Sequence, residues 1–130
     1  MISYMYVRFN AEITTPEGER LFGIFKVSQY LSDAHLITDP DDDDRLWQLF
    51  EWFNKYLSLP TKSHRSKNHD QDSKALAWFK DTSTVHISVM HEISDITQRY
   101  GGVVDFVTTE KPGYILYEDD YQVFAEPFKD

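Results

Sequence analysis

A run of aspartates from Asp39 to Asp44, interrupted only by Pro40, offers the densest set of hard metal ligands in the sequence. Carboxylates bind Ca²⁺ in EF-hand loops, which also need glycine at the sixth position and glutamate at the twelfth. Counted from Asp39, those positions hold Asp44 and Phe50, so the spacing does not fit. Aspartate is a good N-cap, proline suits the first helical position, and acids complement the helix dipole. We therefore expect this run to begin a helix.

The histidines offer imidazole groups for metal binding or proton transfer. His86 and His91 lie five residues apart on a predicted helix, which separates them by about 140° around its axis. His91 is followed by Glu92 but lacks the second histidine of a zinc-protease motif. His35 stands alone in the sequence. The sequence therefore predicts neither a metal site nor a bound cofactor.

Groups for covalent or acid–base catalysis form no complete set. The chain has no cysteine, no Gly-x-Ser-x-Gly segment and no glycine-rich phosphate loop. Glu12, Glu118 and Glu126 could approach one another if the first and last strands were neighbours. A glycosidase pair further requires a fixed separation within a cleft. We predict no catalytic residues, and a function other than catalysis is favoured.

The N-terminal segment carries the most suggestive surface, because Tyr4, Tyr6 and Arg8 alternate along one face of a predicted strand. Tyrosine and arginine are enriched among the residues that anchor protein interfaces. The other interpretation is that these tyrosines cover an open sheet face with their hydroxyl groups in water. The complete set of predicted binding residues is Tyr4, Tyr6, Arg8, Asp42, Asp43, Tyr117 and Glu118.

Strict alternation predicts the strand that positions these residues. Met5, Val7, Phe9, Ala11 and Ile13 fall on its other, apolar face. A turn at residues 15–18 and a short returning strand near residues 21–22 follow.

Helical spacing then predicts a helix that ends near residue 34 and a second from about Asp41 to Leu57. The apolar stripe of the second helix is expected to pack Leu46, Leu49, Phe50 and Phe53 against the sheet, with Trp47 and Trp52 beside it. Residues 61–72 hold no aliphatic or aromatic anchor, so a polar, mobile loop is predicted there.

Helical spacing is predicted again after the loop, around Ala75 to Phe79 and from Val85 to Tyr100, with either a kink or a break between them at residues 81–83. Glycines at 101 and 102 end the second, and strands follow at 103–108, 114–117 and 121–125. Because the segment 114–117 is apolar on both faces, it is expected at the centre of the sheet. These elements predict one α+β domain over residues 1–130. Its small antiparallel sheet, made of the N-terminal strand and three C-terminal strands, would be covered by three or four helices.

The charge balance constrains the partners. Thirteen basic and 22 acidic residues in 130 give a net charge of −9, which argues against direct nucleic-acid binding or an anionic membrane. Residues 33–51 hold seven acids and one base, and residues 105–130 hold seven acids and two bases. If these stretches converge, they would steer a basic protein partner.

The start of the chain lacks signal-peptide features and no apolar run could span a bilayer, so a cytoplasmic location is expected.

Six short segments, spread in order along the chain, resemble a group of small uncharacterised bacterial proteins. These segments are Arg8-Phe9-Asn10-x-Glu12-Ile13, Gly23-Ile24-Phe25, Trp52-Phe53-Asn54, Trp78-Phe79-Lys80-Asp81, Pro112-Gly113-Tyr114-Ile115-x-Tyr117-Glu118-Asp119 and Ala125-Glu126-Pro127-Phe128. The resemblance implies a bacterial or phage source and carries no catalytic residue over.

Two hypotheses for function remain open. The first is a non-catalytic protein-binding module, similar in general character to inhibitor and toxin-immunity proteins, which is an analogy of fold and composition only. The alternative is a small-ligand-binding domain or minor enzyme with a pocket between sheet and helices. A neighbouring toxin gene would favour the first, and a metabolic operon the second. The sequence does not indicate an oligomeric state.

Overall fold

The computed structural model describes residues 4–57 and 75–128, which form six strands and three helices. The strands are β1 (Tyr6–Thr14), β2 (Arg20–Phe22), β3 (Leu76–Lys80), β4 (Val103–Thr109), β5 (Tyr114–Glu118) and β6 (Gln122–Glu126). The helices are α1 (Ile24–Asp33), α2 (Pro40–Tyr56) and α3 (Thr84–Arg99). The predicted polar loop at 61–72 lies outside the described residues.

The strands form one sheet in the order β2-β1-β3-β6-β5, and β4 also pairs with β1. The pairs β1–β2, β1–β3, β3–β6 and β5–β6 are all antiparallel. This confirms the α+β class with a mostly antiparallel sheet. Strand β2 is the returning strand predicted near residues 21–22, whereas β3, which was predicted as a helix, adds a strand that the sequence analysis did not place in the sheet.

The chain divides into two compact units that interleave along the sequence. The sheet unit contains the described parts of 1–8, 57–87 and 108–130, and therefore β3, β5, β6 and the start of β1. The helix unit contains residues 9–56 and 88–107, and therefore β2, α1, α2 and most of β1, α3 and β4. One domain over residues 1–130 stays a prediction.

Helix α2 begins as its acidic run predicts. The Asp39 side chain accepts a hydrogen bond from the backbone N–H of Asp41 at 2.9 Å, which satisfies one of the donors left free by the first turn. Asp41, Asp42 and Asp43 then occupy the positive end of the helix. The capping prediction is confirmed.

The apolar stripe of α2 is narrower than predicted. Leu46, Leu49 and Phe53 are buried, but Phe50 is only half-buried. Its ring packs against Phe25 of α1 and against Trp47 rather than deep in the core. The expectation of a buried Phe50 was wrong, because that position lies at the margin of the stripe.

The predicted helix around residues 75–79 is instead strand β3. Leu76 pairs with Ala125 and Phe79 with Gln122 of β6, while Phe79 and Lys80 also pair with β1 on the other side. A short apolar run has no periodicity that separates strand from helix, and this run holds two adjacent aromatic residues that favour a strand. Strand β3 takes the central position.

The segment 114–117 was wrongly expected at the centre of the sheet. It belongs to β5, which ends the strand order and pairs with β6. Its residues Tyr114, Ile115 and Leu116 are exposed, and Leu116 forms a bulge, since Ile115 pairs with Ala125 and Tyr117 with Phe124. Apolar character on both faces is therefore shared by a buried strand, β3, and an edge strand, β5.

Gly113 fixes the point where β5 begins. Its φ is +128°, and a Cβ built there would overlap the backbone carbonyl of Glu126. Backbone cannot move aside as a flexible side chain can, so this position requires glycine on two grounds.

Candidate functional site

Three aromatic side chains of α1 and α2 form a partly exposed cluster, the aromatic face, made of Phe25, Trp47 and Phe50. The Trp47 and Phe50 rings meet edge to face with centroids 5.1 Å apart, and Phe25 lies 5.8 Å from Phe50. Phe25 is 40% exposed and Trp47 is 38% exposed. Below them Phe25 contacts the buried ring of Phe53 at 5.4 Å. The face is thus continuous with the core and open to solvent.

Hydrogen bonds fix the orientation of Trp47. Its indole Nε1–H donates to the hydroxyl oxygen of Ser32 at 2.8 Å, and that hydroxyl donates to Oδ1 of Asp43 at 2.6 Å. The chain of donors links α1 to α2 through polar atoms of both helices. A large aromatic ring held in this way loses little conformational freedom when something covers it.

Acidic side chains lie on the same side of α2 as the aromatic face. Asp43 and Asp44 precede Trp47 by four and three residues, and Glu51 follows it by four, so all are its neighbours on the helix surface. Asp44 and Glu51 are exposed. The arrangement places negative charge on both sides of an aromatic centre.

Asp42, by contrast, is engaged with the end of α3. One of its oxygens accepts hydrogen bonds from the Tyr100 hydroxyl at 2.6 Å and from the Arg99 guanidinium at 2.8 Å. The bond from Tyr100, followed by that from Arg99, lowers the pKa of Asp42 below its ordinary value. Its charge therefore stabilises contacts between α2 and α3.

A second ion pair joins the same two helices. Both oxygens of Glu92 accept hydrogen bonds from Arg45, each at 2.8 Å. The bond from Arg45 lowers the pKa of Glu92. Such planar two-point contact fixes geometry as well as charge.

In the sheet unit, Tyr4, Tyr6 and Glu118 come together around Lys80. The Lys80 Nζ lies 2.6 Å from Oε2 of Glu118 and 4.8 Å from the centre of the Tyr4 ring. The Lys80 side chain is only 7% exposed, against 46% for Glu118. Burial would lower the pKa of Lys80, but the hydrogen bond and charge of Glu118 outweigh it and raise the pKa. The ion pair with Glu118 therefore stabilises the protonated form of Lys80.

The remaining predicted binding residues of the sheet unit make internal hydrogen bonds. Arg8 donates to the carbonyl oxygen of Ala77 at 2.9 Å, and the Tyr117 hydroxyl donates to Oδ2 of Asp119 at 2.9 Å. Burial opposes ionisation of Asp119, yet hydrogen bonds led by the backbone N–H of Tyr121 hold its pKa below the ordinary value. These groups shape the sheet unit.

The structure thus separates the predicted binding residues into two sets: Asp42 and Asp43 belong to the helix unit, and the others belong to the sheet unit. Tyr4, Tyr6 and Glu118 meet in the sheet unit, where Tyr6 is buried beside Lys80, the residue it pairs with across β1 and β3. Sequence reasoning missed Lys80, because strand register decides which residues meet. The sequence pattern placed Trp47 beside the apolar stripe of α2, at the edge of the core. Its position one helical turn after the consecutive acids Asp43 and Asp44 could have indicated that it lies on an exposed face.

No group of three or more histidine, aspartate or glutamate side chains suited to a metal ion occurs within 4–57 and 75–128. In the same residues, none of the helices combines the length and apolar character needed to cross a membrane. Three acids of the Asp39–Asp44 run have other roles: Asp39 caps α2, Asp42 accepts hydrogen bonds at the end of α3, and Asp43 accepts one from Ser32.

No protein-family model, no curated protein and no solved structure matches the chain. The resemblance to small bacterial proteins therefore stays a prediction that rests on the six segments quoted above.

Proposed function

We propose that the protein is a non-catalytic protein-binding module, inhibitor-like in character, that takes a basic segment of a partner protein on its aromatic face. The observation that carries this proposal is the exposed indole of Trp47, which Ser32 holds in place between the acids Asp44 and Glu51. A cytoplasmic location in a bacterial or phage context belongs to the same proposal and rests on the sequence.

The aromatic face supplies contact energy. Tryptophan is among the residues most enriched at the energetic centres of interfaces, where a large ring fills a pocket of the partner. Phe25 and Phe50 flank Trp47 and extend the apolar area. Because Trp47 already has its orientation, binding costs less side-chain entropy than it would for a freely rotating ring.

The acids supply selectivity for charge. Asp44 and Glu51 are exposed on the side of α2 that carries Trp47, and the whole chain has a net charge of −9. Lysine or arginine next to apolar anchors in a partner would complement this pattern. Negative charge would also speed the encounter at low ionic strength.

A selection from a random peptide library displayed on phage tests the proposal with the purified protein as target. We expect the enriched peptides to combine lysine or arginine with aromatic or aliphatic residues. Their affinity should fall about tenfold or more for Trp47→Ala and for the charge-reversed pair Asp44→Lys with Glu51→Lys.

The matched control reverses two other exposed acids, Glu17→Lys with Asp95→Lys, which changes the net charge equally. The selected peptides should bind this control nearly as well as the parent protein. Peptides without basic residues, or equal losses for the two charge-reversed proteins, would contradict a specific basic partner at this face. Circular dichroism and a thermal melt of each variant separate loss of binding from loss of fold.

A further inference from the structure

Strand β5 is an apolar edge. It ends the strand order, and among residues 4–57 and 75–128 it pairs with β6 alone. Three consecutive residues are exposed, with Tyr114 at 58%, Ile115 at 45% and Leu116 at 42%. Edge strands present a row of backbone N–H and C=O groups that can pair with another strand, and soluble proteins usually protect them with charge. The first four residues of β5, Tyr114 to Tyr117, carry no charge, and its one charged residue is Glu118 at the end.

We propose that β5 pairs antiparallel with β5 of a second copy of the chain, about a two-fold axis at Ile115, to form a weak symmetric dimer. This association is independent of the basic partner proposed for the aromatic face. It would join two sheets edge to edge through backbone hydrogen bonds.

The bulge at Leu116 makes a symmetric register possible. In an antiparallel pair, opposed residues must both direct their backbone groups toward the partner strand or both away from it. Without a bulge, Tyr114 and Tyr117 would differ in this respect, since they are three residues apart. The extra residue changes the alternation, because Ile115 and Tyr117 pair with the consecutive residues Ala125 and Phe124. Tyr114 and Tyr117 consequently lie on the same face.

With the axis at Ile115, Tyr114 of each copy lies opposite Tyr117 of the other. Within one chain these rings already have aromatic neighbours, Phe128 at 4.7 Å from Tyr114 and Phe124 at 6.0 Å from Tyr117. The pairing would extend this row of rings across the axis. Directly opposed aromatic residues are among the favourable cross-strand pairs.

Charge favours the antiparallel orientation. The chain enters β5 after the exposed residues Glu110 and Lys111, whose charges cancel, and leaves it through three acids, Glu118, Asp119 and the exposed Asp120. Antiparallel copies bring Lys111 of one chain toward Asp120 of the other, twice in each dimer. Parallel copies would instead place the acidic ends side by side, where like charges repel.

Sedimentation equilibrium at low salt, from about 10 μM to about 1 mM protein, tests the proposal over the range where small interfaces associate. We expect reversible dimerisation. Lys111→Glu alone or Asp120→Lys alone should raise the dimer dissociation constant about tenfold, since each change affects two contacts per dimer. Combining both changes should restore dimerisation, because the charges are then exchanged.

Tyr114→Lys places a charge on the edge itself and should abolish association, while Lys26→Glu on α1 serves as a control of equal charge change to Lys111→Glu. A monomer at all concentrations would overturn the proposal. Dimerisation that Tyr114→Lys leaves unchanged would place the contact elsewhere. Failure of the exchanged pair to recover would overturn the antiparallel register. Thermal melts confirm that each variant remains folded.

Discussion

The two units of the chain hold their charges in different ways. In the sheet unit the cation of the Lys80–Glu118 pair is buried, with 7% of its side chain exposed. In the helix unit the cations that pair with Glu92 and Asp42 are about half exposed, at 49% for Arg45 and 53% for Arg99. The chemical groups are similar, but water reaches the second set freely.

This difference decides what each pair does for stability. A cation removed from water depends on its partner, so loss of the acid leaves an uncompensated charge in the interior. An exposed cation is hydrated with or without its partner, and salt screens the attraction. The sheet unit should therefore be sensitive to single charge changes, and the helix unit tolerant of them.

The largest effect is expected for Glu118→Ala. We expect the free energy of unfolding to fall by about 3 kcal/mol, at the low end for a broken buried pair because Glu118 itself is half exposed. Urea unfolding measures the change. Adding Lys80→Met should recover much of the loss, since no charge then remains buried. A double variant less stable than Glu118→Ala would show that Lys80 stabilises the sheet by its packing and not through its pair.

Asp119→Ala should cost about 2 kcal/mol, because this carboxylate accepts hydrogen bonds from the backbone of Tyr121 and Gln122 at 2.8 and 3.0 Å. The pKa of Asp119 is lowered by folding, so its contribution is present above the pKa of the unfolded chain. It is lost as the pH falls through the folded pKa. Urea unfolding at pH 7 and at pH 3 should show a smaller difference between variant and parent at the lower pH. An equal difference at both would contradict the role of the charge.

Ser32→Ala tests the hydrogen bonds that orient Trp47 and should cost about 1 kcal/mol. The indole and Asp43 lie near water, which can replace the lost partner in part. Because a loss of this size leaves the protein folded, it should not by itself change peptide affinity. We expect the affinity for peptides at the aromatic face to fall, because the indole of Trp47 is no longer held in its orientation. Ser32→Thr, which keeps the hydroxyl, is the matched control, and an affinity loss shared by both variants would point to sterics.

The smallest effect is expected for Glu92→Gln, about 0.5 kcal/mol at low salt. The pair with Arg45 is exposed on both sides, and about 1 M NaCl should remove the difference from the parent protein. A loss comparable to that of Glu118→Ala, or one that persists in salt, would break the contrast between the two units.

Local signals predicted α2 well. The cap at Asp39, the acids of the first turn and the buried positions Leu46 and Leu49 all depend on residues a few positions apart. The exception, Phe50, depends on Phe25 of another helix, which no local pattern reveals.

Nonlocal pairing explains the errors. Strands β3 and β5 are both short and apolar on both faces, and only the strand order shows that β3 is central and β5 an edge. The Lys80 cluster likewise joins residues from β1, β3 and β5 through register. The sequence shows which residues are charged but not which of them are buried. Burial, which follows from the fold, distinguishes Lys80, whose charge needs Glu118, from the exposed arginines of the helix unit.

The hydrogen-bonded indole of Trp47 also gives the protein a built-in optical signal. Of the three tryptophans, Trp78 is buried, Trp52 is half-buried and Trp47 is 38% exposed, so we expect Trp47 to emit at the longest wavelength and to be the most accessible to a soluble quencher. An occupant of the aromatic face would shift the red component of the fluorescence and shield it from quenching, leaving the Trp78 component unchanged. Binding at this face can therefore be followed by fluorescence in the unlabelled protein.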